Sequence, residues 1–230
     1  MQRIAAIPAY LHETYWWAYV HPRAVRLFER QWLVNLILWG NFARLRDAAL
    51  AALGCSIPGR TLQVACVYGD FTPRLAARVP DGGSLDVVDV LPIQLSNLRR
   101  KLDGAAPVDL IHRDAADLGF ADATYDRVVL FFLLHEMPLD VRRRTLSEAM
   151  RVLKPGGRLV IVDYHLPRPW HPLRGVMRWI LRTFEPFAMD LWRHEVAEWM
   201  APTAASITKE TFYAGLYQRL VVARPGEEPI

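Results

Sequence analysis

The middle of the chain, residues 61–165, alternates short apolar segments with helical ones, and this alternation limits the fold more than any other feature. Strands that alternate with helices usually pair in parallel, because each helix carries the chain back across the sheet. Such a sheet is covered by helices on both faces, so its strands are apolar on both sides. The pattern therefore predicts an α/β fold with a doubly wound sheet.

The same pattern places the individual elements. Strands are predicted at residues 61–67, 84–90, 108–114, 125–136 and 158–165, followed by a hairpin over 208–224 that turns at Ala214-Gly215. Helices are predicted over 92–102, over 140–153 and from Thr72, with Thr72 as the N-cap and Pro73 in the first turn. The 140–153 helix should end at Lys154-Pro155-Gly156-Gly157, because proline and glycine do not continue a helix.

Aromatic residues set the two ends of the chain apart from this middle. All eight tryptophans lie before position 40 or after position 169. Residues 1–54 are predicted to form an N-terminal helical extension, with helices over 22–39 and 42–53 that each end at a glycine. Residues 55–230 are predicted to form the α/β domain, with an insertion at 164–200.

Composition excludes several classes of protein. Two cysteines in 230 residues exclude a disulfide scaffold, and an apolar fraction of 52% excludes a disordered chain. The net charge of +4 comes without a lysine-rich tail or a zinc pattern, so no nucleic-acid partner is expected. The first residues lack the apolar stretch of a signal peptide, and residues 33–39 are too short to span a bilayer. A cytoplasmic protein with reduced thiols is expected.

Polar residues follow successive predicted strands, at the edge where doubly wound folds bind nucleotides. The first strand–helix junction contains one glycine, Gly69, so a pyrophosphate cradle and a nicotinamide cofactor are not expected. Asp89 ends the second strand, where an acid can accept hydrogen bonds from a ribose diol. Asp114 follows the third strand, and His135 and Glu136 follow the fourth.

This order of elements, with LKPGG at residues 153–157, resembles the class I S-adenosylmethionine-dependent methyltransferases over residues 55–223. The resemblance implies a Rossmann-like seven-stranded sheet with a terminal antiparallel hairpin, and S-adenosylmethionine as cofactor. It also implies the residues that contact this cofactor, which are Gln63, Ala65, Val67, Gly69, Asp89, Val90, Asp114 and Ala115.

The first junction departs from that family. Gln63 stands where the family usually has an acid that helps hold the ammonium of the methionine moiety, and Ala65 and Val67 stand where it usually has glycine. A non-catalytic, membrane-associated scaffold on the same fold is therefore one alternative, although the retained Asp89 and Asp114 weigh against it.

Three further segments carry a second resemblance. YWWAYVHP (15–22), FERQWLVNLILWGN (28–41) and VACVYGDFT (64–72) resemble the RquA-type rhodoquinone biosynthesis proteins, atypical members of the methyltransferase family. This resemblance implies conversion of ubiquinone to rhodoquinone, in which an amino group from S-adenosylmethionine replaces a methoxy group and manganese supports the reaction. A conventional methyltransferase acting on a quinone or a lipid remains the main alternative.

Amino transfer would explain why an uncharged residue, Gln63, stands where the family usually has an acid. An α-amino group, with a pKa of about 7.7–8.0, attacks only when it is unprotonated. A neighbouring carboxylate would favour the ammonium form, whereas glutamine can hydrogen-bond without doing so. The hypothesis is that Gln63 leaves the amine free, and that Val67 and Tyr68 direct it toward the quinone.

Tyr68 and His135 are the predicted catalytic residues. A standard loop does not require a phenol at position 68, and His135 is expected as a general base, with a hydrogen-bonded structural histidine as the alternative. Manganese prefers oxygen ligands with some imidazole. Residues of these types stand at the strand ends without diagnostic spacing: Asp70, Asp114, Asp117, His135, Glu136, Asp163 and His165.

The insertion predicts contact with a membrane, where a quinone with an isoprenoid tail resides. A helix over 173–184 has one apolar face, formed by Leu173, Val176, Met177, Ile180, Leu181 and Phe184. Trp179 and the stripe Arg174, Arg178 and Arg182 give it the composition of an interfacial helix whose arginines face anionic headgroups. A peripheral position on the inner face of the cytoplasmic membrane is expected, with ordinary core packing as the alternative.

Overall fold

The computed structural model describes residues 7–15, 28–102, 108–200 and 206–226. Its centre is a seven-stranded sheet in the order β3-β2-β1-β4-β5-β7-β6. The strands are β1 (Arg60–Val64), β2 (Ser84–Asp89), β3 (Val108–His112), β4 (Tyr125–Phe131), β5 (Leu153–Tyr164), β6 (Ser206–Phe212) and β7 (Tyr217–Ala223). Strands β1 to β5 are parallel, and β7 runs antiparallel to both β5 and β6. The predicted doubly wound sheet with a terminal antiparallel hairpin is confirmed.

Helices cover the sheet and form the two additional segments. The α-helices are α1 (Ala9–Thr14), α2 (Gln31–Ile37), α3 (Phe42–Leu53), α4 (Phe71–Ala76), α5 (Pro92–Arg99), α6 (Leu139–Val152) and α7 (Arg174–Phe184). Short 3₁₀ helices follow at Leu134–Glu136, Pro186–Trp192 and Val196–Trp199. Among the described residues, no helix has both the length and the apolar character needed to cross a bilayer.

The N-terminal extension differs from the prediction at its first helix. Residues 22–27 of the predicted 22–39 helix lie outside the described residues, and α2 begins only at Gln31. The backbone is extended at Arg30, with a ψ of 115°, which interrupts the helix. This break allows Glu29 to contact the loop after β1, as described below. The predicted 42–53 helix has the bounds of α3.

Strands β1, β3 and β4 end at Val64, His112 and Phe131, between two and five residues earlier than the sequence pattern predicts. The chain leaves the sheet after β1 because Ala65 takes a φ of +72°, and it turns after β4 because Phe132 takes a φ of +55°. Strand β5, in contrast, begins five residues early, at Leu153 rather than at 158. Gly156, with a φ of +74°, turns its N–H toward the carbonyls of Arg224 and Pro225, so this stretch pairs with the C-terminal segment.

The predicted N-cap of α4 is also wrong. Thr72 lies inside the helix, and Asp70 occupies the N-cap position without a side-chain capping bond. The Asp70 carboxylate instead forms ion pairs with Arg46, at 2.8 Å, and with Arg74. Two charged partners therefore replace the local cap that the sequence suggests.

A buried arginine joins the insertion to the α/β domain. Arg142 on α6 has no exposed surface, and its guanidinium donates to the carbonyls of Leu134, Met137 and Phe187 at 2.8–2.9 Å. The guanidinium also lies over the Trp199 ring, 4.4 Å from its centroid. Arg142 thus holds the turn after β4 against the insertion.

We expect Arg142→Lys to lower the free energy of unfolding by about 2–4 kcal/mol, because lysine cannot reach all three carbonyls and hydrogen bonds from charged groups contribute about 1.5–3 kcal/mol each. Urea denaturation measures this loss. The exposed neighbour Arg143 provides the matched control, and Arg143→Lys should change stability by less than about 0.5 kcal/mol. Equal effects of the two substitutions would contradict this role of Arg142.

Candidate cofactor and substrate site

A cavity of about 490 Å³ opens at the carboxyl ends of the parallel strands. Its walls come from the loop after β1, the ends of β2 and β4, the N-terminal extension and α7. Most of its lining is apolar, and the polar groups are few, which is typical of a ligand site. The topology explains the position, because ligands of open α/β sheets bind outside the carboxyl ends of the strands.

Asp89 forms the polar centre of one half of the cavity. One of its carboxylate oxygens accepts a hydrogen bond from the Cys66 amide and the other from the Leu91 amide, each at 2.8 Å. Burial raises the pKa of Asp89 to about 6, while the Cys66 and Leu91 amides oppose this rise. Each carboxylate oxygen retains a second lone pair. This geometry is compatible with the predicted hydrogen bond from a ribose hydroxyl, which stays a prediction.

The predicted cofactor-binding residues divide into two groups. Those that line the cavity are Ala65, Val67, Asp89, Val90, Asp114 and Ala115. Gln63 and Gly69 do not line it. Gln63 is fully buried beneath the loop and donates from Nε2 to the Ala65 carbonyl at 2.9 Å, and its buried Oε1 lacks a hydrogen-bond partner among the described residues. The structure thus gives Gln63 a contact with the loop backbone.

A polar cluster formed by Glu29, Asn97 and Lys101 holds this loop. Glu29 accepts a hydrogen bond from the Gly69 amide at 3.1 Å and is paired with Lys101 at 2.7 Å and with Asn97. Lys101 also donates to the carbonyls of Val67 and Gly69. Position 69 requires glycine, because its φ is +79° and an added Cβ would lie 2.8 Å from the Phe42 ring. The loop therefore has a defined shape without the usual glycines.

Tyr68 extends from this loop into the cavity. Its hydroxyl accepts a hydrogen bond from Gln94 at 2.8 Å, and its ring stacks on Phe28 with centroids 6.0 Å apart. Burial raises the pKa of Tyr68 further above its usual value, so the phenol stays protonated at neutral pH. It can donate a hydrogen bond to a ligand and cannot serve as a base there.

His135 lies in the turn after β4 and is held by Asp163. The ring Nδ1 is 2.9 Å from one Asp163 oxygen, and the Leu134 and Tyr164 amides donate to the same carboxylate at 2.8 Å. Burial by itself lowers the pKa of His135, but the Asp163 carboxylate outweighs burial and raises the pKa to about 9. This raised pKa favours the protonated ring, which donates hydrogen bonds, at neutral pH. The predicted general base and its alternative, a hydrogen-bonded structural histidine, both stay predictions.

Glu185 is a site residue that sequence reasoning missed. It directly follows α7, lines the cavity and interacts with the Tyr15 hydroxyl. Burial raises the pKa of Glu185, and the nearby His135 opposes this rise. One signal was available, because Glu185 is the first acidic residue after Asp163. The prediction instead treated this segment as a membrane or core helix.

The proposed manganese ligands do not come together. Asp163 is fully buried and occupied by amides and by His135, while His165 is bonded to Gly215 and Lys209 through its two ring nitrogens. Asp114 and Asp117 pair with each other in an isolated backbone bridge. In the described part of the chain, no group of three or more His, Cys, Asp or Glu side chains is placed to hold a metal ion. These residues do not fit the manganese that the resemblance implies.

Comparison with known proteins identifies relatives of the chain. Residues 61–157 match the family model described as a methyltransferase domain. A demethylmenaquinone methyltransferase of Beutenbergia cavernae is 32% identical over 184 residues, which cover 73% of this chain and 70% of that protein. The corresponding protein of Clavibacter sepedonicus is 35% identical over 58% of this chain and 52% of its own. The chain thus spans little more than half the length of some curated relatives that it matches.

Solved structures share the fold at low sequence identity. The N-methyltransferase NodS of Bradyrhizobium japonicum has a TM-score of 0.60 at 16% identity, covering 80% of this chain and 96% of that one. An O-methyltransferase family protein of Burkholderia thailandensis has a TM-score of 0.62 at 17% identity, covering 90% and 61% of the two chains. NodS has also been solved with S-adenosylhomocysteine, at a TM-score of 0.53, 17% identity and coverage of 80% and 85%. With this fold, the matched family model and the Beutenbergia relative, the chain belongs to the class I S-adenosylmethionine-dependent methyltransferase family.

Proposed function

We propose that this protein modifies the ring of ubiquinone, replacing a methoxy group with an amino group that S-adenosylmethionine supplies, to give rhodoquinone. The supporting observation is the loop after β1. Gln63 lies beneath it without a charge. Val67, which stands where the family usually has glycine, lines the cavity together with its neighbour Tyr68. A loop of this kind neither fixes an ammonium with a carboxylate nor leaves the extended path for the methionine chain.

The residues of the cavity have distinct roles in this reaction. Asp89 would hold the ribose, and Tyr68 would donate a hydrogen bond near the amine or the ring. Attack of the amine on the methoxy-bearing carbon moves charge onto a ring oxygen, which a His135 imidazolium would stabilise. Methoxide then leaves and takes up the proton that the amine releases. The nitrogen–Cα bond of the donor must break afterwards, and a redox-neutral elimination balances this step. The nitrogen keeps the bonding pair and gains a proton to give the aminoquinone, while the donor skeleton loses a proton from Cβ and forms a Cα–Cβ double bond.

Methyl transfer to a quinone or a lipid is the second candidate, and the names of the relatives favour it. The similar proteins include demethylmenaquinone methyltransferases and a protein of Geobacter sulfurreducens named ubiquinone/menaquinone biosynthesis C-methyltransferase, 33% identical over 139 residues. Methylation of a ring carbon needs a base to remove a proton. A His135 that is protonated at neutral pH suits stabilisation of an oxyanion better than that step.

We also propose that the protein binds peripherally to the inner face of the cytoplasmic membrane. Helix α7 packs against the core through Met177 and Leu181 but leaves Trp179 exposed. Arg178 and Arg182 are also exposed, and no ion pair joins them to any described residue. One side of α7 thus packs in the core, as one prediction has it. The other side is exposed, and we propose that this side contacts the membrane.

Isotope labelling distinguishes the two reactions. The protein is incubated with a short-tailed ubiquinone or, in parallel, with a short-tailed demethylmenaquinone, whose ring has a free carbon that can accept a methyl group. Each reaction contains S-adenosylmethionine carrying ¹⁵N in its amine and ¹³C in its methyl group, with and without manganese. We expect ¹⁵N in the quinone by mass spectrometry. Appearance of ¹³C in the quinone, with release of S-adenosylhomocysteine, would instead establish methyl transfer.

The variant Gln63→Glu tests the protonation argument within the same assay. A carboxylate beneath the loop favours the ammonium form of the donor, so amino transfer should fall at neutral pH. The deficit should shrink as the pH rises above the pKa of the amine. Parent-like activity of this variant at pH 7 would remove the basis for the role given to Gln63.

Asp89→Ala should weaken S-adenosylmethionine binding by about 10- to 150-fold, which corresponds to the roughly 1.5–3 kcal/mol of hydrogen bonds to a charged group. Because the pKa of Asp89 is raised to about 6, the affinity of the parent protein should also fall as the pH drops below 6. Asp89→Asn should bind weakly at every pH. Titration calorimetry measures both effects, and Asp109→Asn, an exposed change on β3, is the control. No measurable binding by the parent would favour the non-catalytic scaffold.

The His135–Asp163 pair predicts a pH dependence of stability. The folded protein raises the pKa of His135 from 6.5 to about 9, so the added stability is complete below pH 6.5 and disappears as the pH rises through 9. The unfolding free energy of the parent should therefore fall over that interval relative to His135→Gln, by on the order of 2–3 kcal/mol. Denaturation at several pH values tests this. His194→Gln, at an exposed position, should follow the parent, and identical profiles for all three proteins would contradict the pairing.

A further inference from the structure

The mouth of the cavity is marked by two exposed residues. Ile37 on α2 and Phe184 on α7 both line the cavity, yet they are 42% and 44% exposed. Every other described residue of the lining is buried or half-buried. A residue that borders both the cavity and solvent lies where the cavity opens. The cavity therefore opens between α2 and the end of α7.

The passage behind this mouth is apolar on both sides. Val34 and Leu38 form its wall on the side of α2, and Ile180 and Leu181 form the wall on the side of α7. The two sides are joined by a hydrogen bond from the Trp39 indole to the Met177 sulfur at 3.1 Å. A hydrocarbon chain can occupy such a passage without leaving polar groups unpaired.

Helix α2 is largely apolar but does not bury its apolar side chains. It has five apolar residues out of seven, and none of its residues is buried. Trp32 and Leu36 are 58% and 62% exposed, and across the mouth Trp179 is 63% exposed. Exposed apolar side chains concentrated in this way mark a surface that binds a partner. We call α2, α7 and the mouth between them the docking face.

Charge indicates which partner fits the docking face. Arg30, Arg178 and Arg182 are exposed and form no ion pair with described residues. Neither residues 30–46 nor residues 164–184 contain Asp or Glu. A second copy of this chain would bring arginines against arginines. An anionic lipid bilayer offers negative headgroups for the arginines and hydrocarbon for the tryptophans.

We propose that α2 and α7 together dock on an anionic bilayer, and that the isoprenoid tail of the substrate passes from the bilayer into the cavity between Ile37 and Phe184. The identity of the tail rests on the proposed function, whereas the docking does not. In this proposal α2 contacts the membrane as well as α7, and the mouth of the cavity opens toward the lipid.

Vesicle binding tests the docking without any quinone. The parent protein and the double variant Trp32→Ser/Leu36→Ser are each sedimented with two kinds of vesicle. Neutral vesicles contain only phosphatidylcholine, and anionic vesicles contain phosphatidylcholine mixed with phosphatidylglycerol. The parent should bind the anionic vesicles, and the double variant should bind them about 10- to 100-fold more weakly, because two large side chains no longer enter the lipid. Leu139→Ser/Ile207→Ser removes two other exposed apolar side chains, on α6 and β6, and should bind like the parent.

Quinone turnover tests the passage. The double variant should lose activity on a long-tailed ubiquinone in anionic vesicles and keep its activity on a soluble short-tailed analogue, since Trp32 and Leu36 do not line the cavity. Equal losses on the two substrates would overturn the passage. Absence of turnover by the parent on either quinone would count against the proposed function while leaving the vesicle result intact.

Other outcomes would overturn the docking itself. These are failure of the parent to bind anionic vesicles, parent-like binding by the Trp32/Leu36 variant, and equal loss of binding in the Leu139/Ile207 control. Light scattering tests whether a second copy of the chain, rather than a bilayer, binds the docking face. A parent dimer that becomes monomeric only in the Trp32/Leu36 variant would show that the face joins two copies of the chain.

Discussion

The carboxylate of Asp163, at the end of β5, fixes the polar half of the cavity. It is fully buried, and its Oδ2 accepts a hydrogen bond from the Leu134 amide. Its Oδ1 accepts one from the Tyr164 amide and also contacts Nδ1 of His135. One side chain thereby joins the ends of two neighbouring parallel strands and folds the chain after β4 into a turn. Without it, the Leu134 amide would be buried without a partner, which costs about 1–3 kcal/mol. The position of His135 follows from this turn.

Charge balance around Asp163 explains the chemistry that the cavity favours. A buried carboxylate needs a cation beside it, and His135 supplies one by keeping its proton at neutral pH. Burial raises the pKa of the nearby Glu185, and the positive charge of His135 opposes this rise. Arg142 fixes the carbonyls on either side of His135, which keeps the ring in place. The result is a positioned hydrogen-bond donor in an apolar wall.

The sequence predicts the sheet well because its signal is local. Each parallel strand must be apolar on both faces, and Asp89 ends β2 while Asp114 lies two residues after the end of β3. The errors arise where distant residues decide the local geometry. Thr72 fits the rules for an N-cap, but Arg46 on α3 draws Asp70 into that position. The resemblance implies that Gln63 contacts the cofactor, but its side chain turns to the Ala65 carbonyl. Nothing near Glu185 in the sequence indicates that Tyr15, 170 residues earlier, lies beside it.

The family match covers only part of the cavity lining. The matched residues, 61–157, include Asp89, Asp114 and the loop that carries Tyr68, which line the half of the cavity that is predicted to bind the cofactor. The opposite half is built from α1, α2 and α7, all outside that match, and Glu29 attaches the extension to the loop at Gly69. The family match therefore covers the residues predicted to bind the cofactor and leaves out the walls of the opposite half. The proposed choice between methyl and amino transfer rests on the loop after β1, where this chain departs from the residues usual in the family, and on walls that lie outside the match.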